Sequence, residues 1–264
     1  MEFLRLAKRR SLVSELVYVL LNIGLAAALL VVVWVVESPV PAFALVLLSK
    51  WRVLAVRPRY WLAHVQANLV DIIVSLGLVV LLYTAGHGGV GDGIVIQIIL
   101  TLLYIVWLLV LKPRTKRTYV VAQAAVALVI GTVALFSLAY GWPSSLVVLA
   151  MFILGYATAR HVLSAYSDSN LMMMSLIWGF VVAQIGWLSF HWLIAYDIPL
   201  VDTIKLPQVT IVVVALSFLA ERIYSSYAKH GAVRSGDITL PALLSLGVVI
   251  VILALFNGVR TGSI

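Results

Sequence analysis

Long uninterrupted apolar runs, not alternation, set the pattern of this chain. Eight stretches, at 12–36, 61–85, 93–111, 118–140, 144–166, 171–196, 207–227 and 240–259, are apolar over most of their length. Each holds about 20 residues or more, which is what a helix needs to cross a hydrocarbon core ~30 Å thick. A membrane β-barrel would instead show short segments of alternating polarity. Turn chemistry separates the runs: Glu37-Ser38-Pro39-Val40-Pro41, the glycine-rich stretch 86–93, Gly141-Trp142-Pro143-Ser144, and Asp197-Ile198-Pro199. A ninth, shorter run at 41–56 ends in Lys50 and Arg52, and hydropathy alone does not say whether it spans.

Charge decides that point. Cytoplasmic loops carry the Lys/Arg excess of a membrane protein. With nine spans and the N-terminus inside, sixteen of the eighteen Lys and Arg residues fall on the inner side, leaving Lys205 and Arg260 outside. Without the ninth span everything after it inverts, and twelve fall outside. The expectation is therefore an all-α bundle of about nine transmembrane helices in one domain. Its N-terminus is cytoplasmic, its C-terminus is external, and it resides in the plasma membrane. The first run is too long for a cleaved signal and reads as an anchor oriented by Arg5, Lys8, Arg9 and Arg10. Trp and Tyr near the run ends, such as Trp34, Tyr60, Trp61, Tyr140 and Trp142, fit the two interfaces.

Composition agrees and narrows the function. Hydrophobic residues make up 64% of the 264 and charged residues 11%, too apolar for a soluble enzyme or a disordered chain. No cysteine is present, so a disulfide scaffold is excluded. The net charge of +8 is explained by topology and by attraction to anionic lipid, without nucleic acid. The connections are too short for a nucleotide-binding domain, and no phosphate loop ending in Lys-Ser/Thr occurs. No cofactor is expected.

Polar residues inside the runs are the candidates for chemistry. His64, Asn68, Asp71 and Ser75 are spaced +4, +3 and +4 and so share one helix face. Asp71 lies ~16 Å along its helix from Tyr60, close to mid-membrane. An ionisable group there marks a substrate or proton route, unless the stripe serves as interhelical hydrogen-bond glue. Arg160 and Glu221 fall at matching depths in two other runs and are expected to pair. Gln184, Trp187 and His191 form a second polar face. Lys50, Arg52, Arg57 and Arg59 make a cationic patch able to hold anionic lipid head groups at the cytoplasmic face. No His or carboxylate pair has metal-ligand spacing, and Met172–Met174 read as core rather than as ligands. Small residues four apart, Gly24/Ala28, Ala127/Gly131, Gly155/Ala159 and Gly179/Ala183, predict close helix crossings.

The spacing of Lys50, Arg57 and Pro58 resembles the first motif of membrane lipid-phosphate phosphatases. The resemblance ends after ten residues. Pro143-Ser144-Ser145 and Ala159-Arg160-His161 lack the glycine, serine and histidines of that family's other motifs, and Pro143 falls on the opposite face from Lys50. The assignment is rejected. Three readings remain: a transporter or permease-like component built on the Asp71 stripe, a structural or assembly subunit with partner membrane proteins, and an intramembrane enzyme acting on a lipid at the inner face. The first accounts best for polar groups at mid-depth.

Overall fold

The computed structural model describes residues 12–87, 92–166, 170–198 and 201–256. Among them, eight helices are long and apolar enough to cross a membrane. They are α1 (Leu12–Val36), α4 (Trp61–Gly86), α5 (Asp92–Val106, continued by a π turn over Trp107–Leu111), α6 (Arg117–Leu138), α7 (Ser144–Leu163), α8 (Leu171–His191), α9 (Gln208–His230) and α10 (Ser235–Leu255). The basic N-terminal residues Arg5 to Arg10, Arg260 and the side chain of Arg52 lie outside the described residues.

The apolar run at 41–56 is not one helix. It forms α2 (Pro39–Ser49), a single turn α3 (Trp51–Leu54), a bend, and a 3-10 turn at Pro58–Tyr60. Ser38 caps α2, its hydroxyl accepting from the Val40 amide, and Pro39 opens the first turn. At 1.5 Å per residue α2 is ~16 Å long, about half the thickness of a bilayer core. This corrects the expected ninth continuous helix: the segment is a half-helix followed by irregular chain.

Helices that follow one another along the chain run antiparallel. Tyr18 at the start of α1 donates to Leu108 O at the end of α5 (3.2 Å). Ser226 near the end of α9 donates to Asp237 at the start of α10 (2.8 Å). The ends at which α4 and α6 begin therefore form one side of the bundle, called here the basic end because Arg57, Arg59, Arg114, Lys116 and Arg117 gather there. α1 and α4 both start at that end, so the chain between them must return through the bundle. The half-helix and its irregular continuation make that return.

Three apolar clusters hold the bundle together. One joins α1, α2, α4 and α5 around Leu29, Val46, Val74, Leu82 and Leu108. A second joins α6 to α9 around Met151, Val182 and Val213. The close crossings are made by glycines. A Cβ at Gly155 would stand 2.6 Å from Val182 Cβ, one at Gly131 would stand 2.4 Å from Leu154, and one at Gly179 would stand 3.0 Å from Phe152. Gly24 is different: it meets open space. Met172–Met174 are exposed rather than core. Large apolar side chains cover the outside of α1, α5, α8 and α10, the kind of surface that a membrane-spanning bundle presents to lipid.

The third cluster contains an element that apolar runs did not announce. Strands β1 (Ala195–Ile198) and β2 (Val201–Pro207) form an antiparallel hairpin with a bulge at Asp197/Ile198. Ile204 and Leu206 pack on Val80, Leu81, Val133 and Ala134 at the end opposite the basic one. Strand β2 alternates in polarity only over Thr203–Leu206, where Ile204 is buried and Lys205 reaches Asp197 (3.8 Å), the period-2 signal of a strand. It is only seven residues long and sits between two longer runs. The final residues of the 171–196 run therefore belong to the hairpin, not to α8.

Candidate functional site

Asp71 is the eleventh residue of α4, ~15 Å from its start at 1.5 Å per residue. It is 8% exposed, and its carboxylate is the hub of a polar cluster assembled from three elements. Lys50 Nζ, at the C-terminal end of α2, contacts Oδ2 directly. Lys112 Nζ, from the end of α5, contacts the same oxygen at 2.9 Å. Trp107 Nε1 lies 3.4 Å from Oδ1. Above the carboxylate, Ser75 Oγ donates to Asp71 O (2.7 Å), and Tyr104 OH donates to Ser75 Oγ (2.9 Å).

Each lysine is delivered by a break in regular α-helix. Because α2 stops after 11 residues, its last turn ends beside Asp71 instead of at the bundle surface. The carbonyls at a helix C-terminus favour a cation there. On α5, the π turn closes with the Lys112 amide donating to Trp107 O (2.8 Å), an i→i+5 bond. In an α-helix, residues five apart diverge around the axis. In the π turn they stack, so Trp107 and Lys112 both reach Asp71.

The π turn is held from α6. Gln123, 4% exposed, donates through Nε2 to Leu111 O (2.6 Å) and Arg114 O (3.0 Å). Its Oε1 meets His161 Nε2 of α7 at 2.7 Å. Carbonyls left over at the end of α5 are thereby satisfied.

The expected sites divide on inspection. Of the stripe, Asp71 and Ser75 are in the buried cluster. His64 is exposed and Asn68 half-buried, and Asn68 Nδ2 donates back to His64 O (2.8 Å), so the lower half turns onto its own helix. Of the cationic patch, Lys50 is withdrawn to Asp71, its side chain 10% exposed, which removes it from any set contacting lipid head groups. Arg57 and Arg59 stay exposed, with Arg59 over the Tyr60 ring at 4.6 Å.

The pairing of Arg160 with Glu221 is overturned. Arg117 Nη2 and Tyr166 OH both donate to Glu221 Oε1 at 2.9 Å, while Arg160 turns to Tyr156 OH (3.1 Å). Equal depth did not bring the two helix faces together; the first turn of α6 lies nearer to α9. Gln184, Trp187 and His191 are exposed on α8, with His191 Nδ1 on Trp187 O (2.8 Å) and the two rings 4.6 Å apart. That face looks out of the bundle.

Sequence reasoning did not name Lys112, Tyr104, Trp107, Gln123 or Glu221's true partner Arg117. Gln97, Thr101 and Tyr104 at +4 and +3 do mark the inward face of α5, since all three are buried. Lys112 carries no such signal, because its placement depends on the π turn. Among the described residues no group of three or more His, Cys, Asp or Glu side chains could hold a metal ion. Two apolar cavities flank the core, one of about 820 Å³ among α6 to α10 and one of about 430 Å³ among α4 to α6 and the hairpin. Compared with protein-family models, with curated proteins and with solved structures, the chain matches none of them.

Proposed function

We propose that this multi-pass membrane protein is a transporter or permease-like component whose ion-coupling centre is the cluster of Asp71, Lys50 and Lys112. One observation carries the reading: a carboxylate at mid-bundle holds two ammonium groups, one of them at the end of a half-helix. Discontinuous helices that stop near the bilayer midplane are the usual builders of coupling-ion sites in secondary transporters. Ionisable groups at that depth are costly and are kept where charge must move. With two lysines on one carboxylate, either ammonium can pass its proton on while Asp71 keeps a counter-charge. Lys112, whose side chain is 35% exposed, is the member nearest to solvent and the natural entry point. The orientation that accompanies this reading puts the basic end in the cytoplasm of a cell membrane. Reporter fusions after Lys116 and Lys229 should then read inside, and a fusion at Trp142 outside.

The test needs no known substrate. Proteoliposomes adsorbed on a sensor surface should give a transient current on a pH jump, reporting protons that enter the protein. Asp71→Asn keeps the shape of the side chain and removes its charge; it should abolish the transient while the protein stays folded. A folded Asp71→Asn protein with the full current overturns the reading.

The alternative of a structural subunit is favoured by the same cluster seen differently, since the ion pairs also tie α2 to α4 and α5. It predicts no transient in any variant and a loss of assembly when Asp71 is changed.

A further inference from the structure

The larger cavity, about 820 Å³, lies well away from Asp71, between α6, α7, α8, α9 and α10. That volume is in the range of small-molecule sites, ~300–1,000 Å³. Its walls are almost wholly aliphatic and aromatic, and the exceptions are few and specific. Glu221 lines it from α9, with Ser217 one turn away on the same face, and Ser245 faces it from α10.

Two of those polar groups are not satisfied among the described residues. Ser217 Oγ and Ser245 Oγ are buried and have no hydrogen-bond partner there, and Ser245 is 0% exposed. A membrane serine ordinarily donates to the carbonyl one turn back, as Ser75, Ser137 and Ser175 do here. A buried orphan hydroxyl costs free energy unless a guest supplies the partner. Glu221 is also incompletely engaged. Both strong contacts, from Arg117 and Tyr166, fall on Oε1, whereas the described cation nearest to Oε2 is Arg222 Nε at 3.7 Å. Trp178, Phe218 and Tyr224 add aromatic rings to the wall.

We infer that this cavity binds an amphiphilic protonated amine. The ammonium N–H groups donate to Glu221 and, with a small shift of the wall that uncovers them, to the Ser217 and Ser245 oxygens, and the apolar body fills the aliphatic volume. Carboxylate, hydroxyl oxygens and aromatic faces all favour a cation. A carboxylic acid of the same shape would meet Glu221 as a like charge. Arg117 competes with the guest for Glu221, so loss of Arg117 and loss of Glu221 act in opposite directions. The site is separate from the Asp71 cluster, and binding here does not depend on ion coupling there.

The experiment is saturable binding of tritiated 4-phenylbutylamine to the full chain in lipid nanodiscs, with empty nanodiscs as background. The amine should bind. Its quaternary trimethyl analogue, lacking N–H donors, and 4-phenylbutyrate should compete poorly. Glu221→Gln should weaken binding at least about tenfold, as expected for loss of a hydrogen bond to a charged group, and the double change Ser217→Ala with Ser245→Ala about threefold. Arg117→Gln should tighten it. If Glu221→Gln fails to fold, the competition series and Arg117→Gln decide alone. Equal competition by 4-phenylbutyrate, or weaker binding in Arg117→Gln, overturns the assignment, as does amine binding no greater than that of empty nanodiscs.

Discussion

Asp71 and Glu221 are both carboxylates lodged among apolar helices, and each is held by basic side chains from other elements. Their surroundings differ in kind. Asp71 sits in the dense part of the bundle, between α2, α4 and α5, with a side chain 11% exposed; one partner, Lys50, is as buried at 10%, while the other, Lys112, reaches solvent at 35%. Glu221 is as buried, at 9%, but its partner Arg117 is 36% exposed and a cavity of about 820 Å³ adjoins it. The same pairing chemistry therefore carries different energies. A charge pair far from water interacts strongly and suffers heavily from loss of one member, whereas a partner that can reach solvent softens both effects. The first environment suits a fixed coupling centre, and the second suits a site where one counter-ion yields to another.

The sharpest way to break this comparison is Asp71→Leu. It strands the Lys50 ammonium in the bundle, Lys112 being able to reach solvent, and should cost about 3–5 kcal/mol, read from reversible unfolding in mixed micelles. Changing Lys50→Met in the same molecule should recover part of that loss. A cost of about 1 kcal/mol or less would place Asp71 in the same regime as an exposed pair, and the contrast with Glu221 would vanish.

Next in size is the crossing of α7 and α8, which borders the cavity. Gly155→Val must push Val182 aside and should cost about 1–3 kcal/mol, because an overpacked backbone crossing has nowhere to relax. Unchanged stability would mean that the helices around Glu221 are held apart more loosely than the 2.6 Å approach shows.

Glu221→Gln should cost no more than about 1 kcal/mol, given the solvent that reaches Arg117. A double-mutant cycle resolves which partner matters: coupling should appear between Arg117 and Glu221 and be absent between Arg160 and Glu221. The smallest effect belongs to the outward face of α8. His191→Leu and Trp187→Leu should each stay within about 0.5 kcal/mol of the parent, since neither side chain is packed inside.

Much of the architecture was legible before the structure. Eight helices follow from eight apolar runs, because run length against bilayer thickness is a one-dimensional property of the chain. Helical periodicity put Asp71 and Ser75 on one face and both are buried, although His64 on that face is exposed, and two close crossings, α6 with α7 and α7 with α8, follow from glycine and alanine four apart. The partners of the charges were not legible. Lys50 read as part of a surface patch because nothing local says that α2 stops halfway and turns its last residue inward. Lys112 was hidden because a π turn changes the angular spacing on which face assignments rest. Glu221 was matched to Arg160 by depth, but depth fixes only one coordinate, and the rotation of each helix about its axis decides which of several basic residues it meets. The hairpin at 195–207 escaped for a related reason: alternation over only Thr203–Leu206 is a weak signal beside runs of about 20 residues, and its place against α4 and α6 is fixed by packing. The sequence by itself determined how many long apolar helices form, since that depends on transfer of side chains out of water. Tertiary structure alone decided which charges meet and where the bundle stays open, since those depend on how the helices are rotated and interrupted relative to one another.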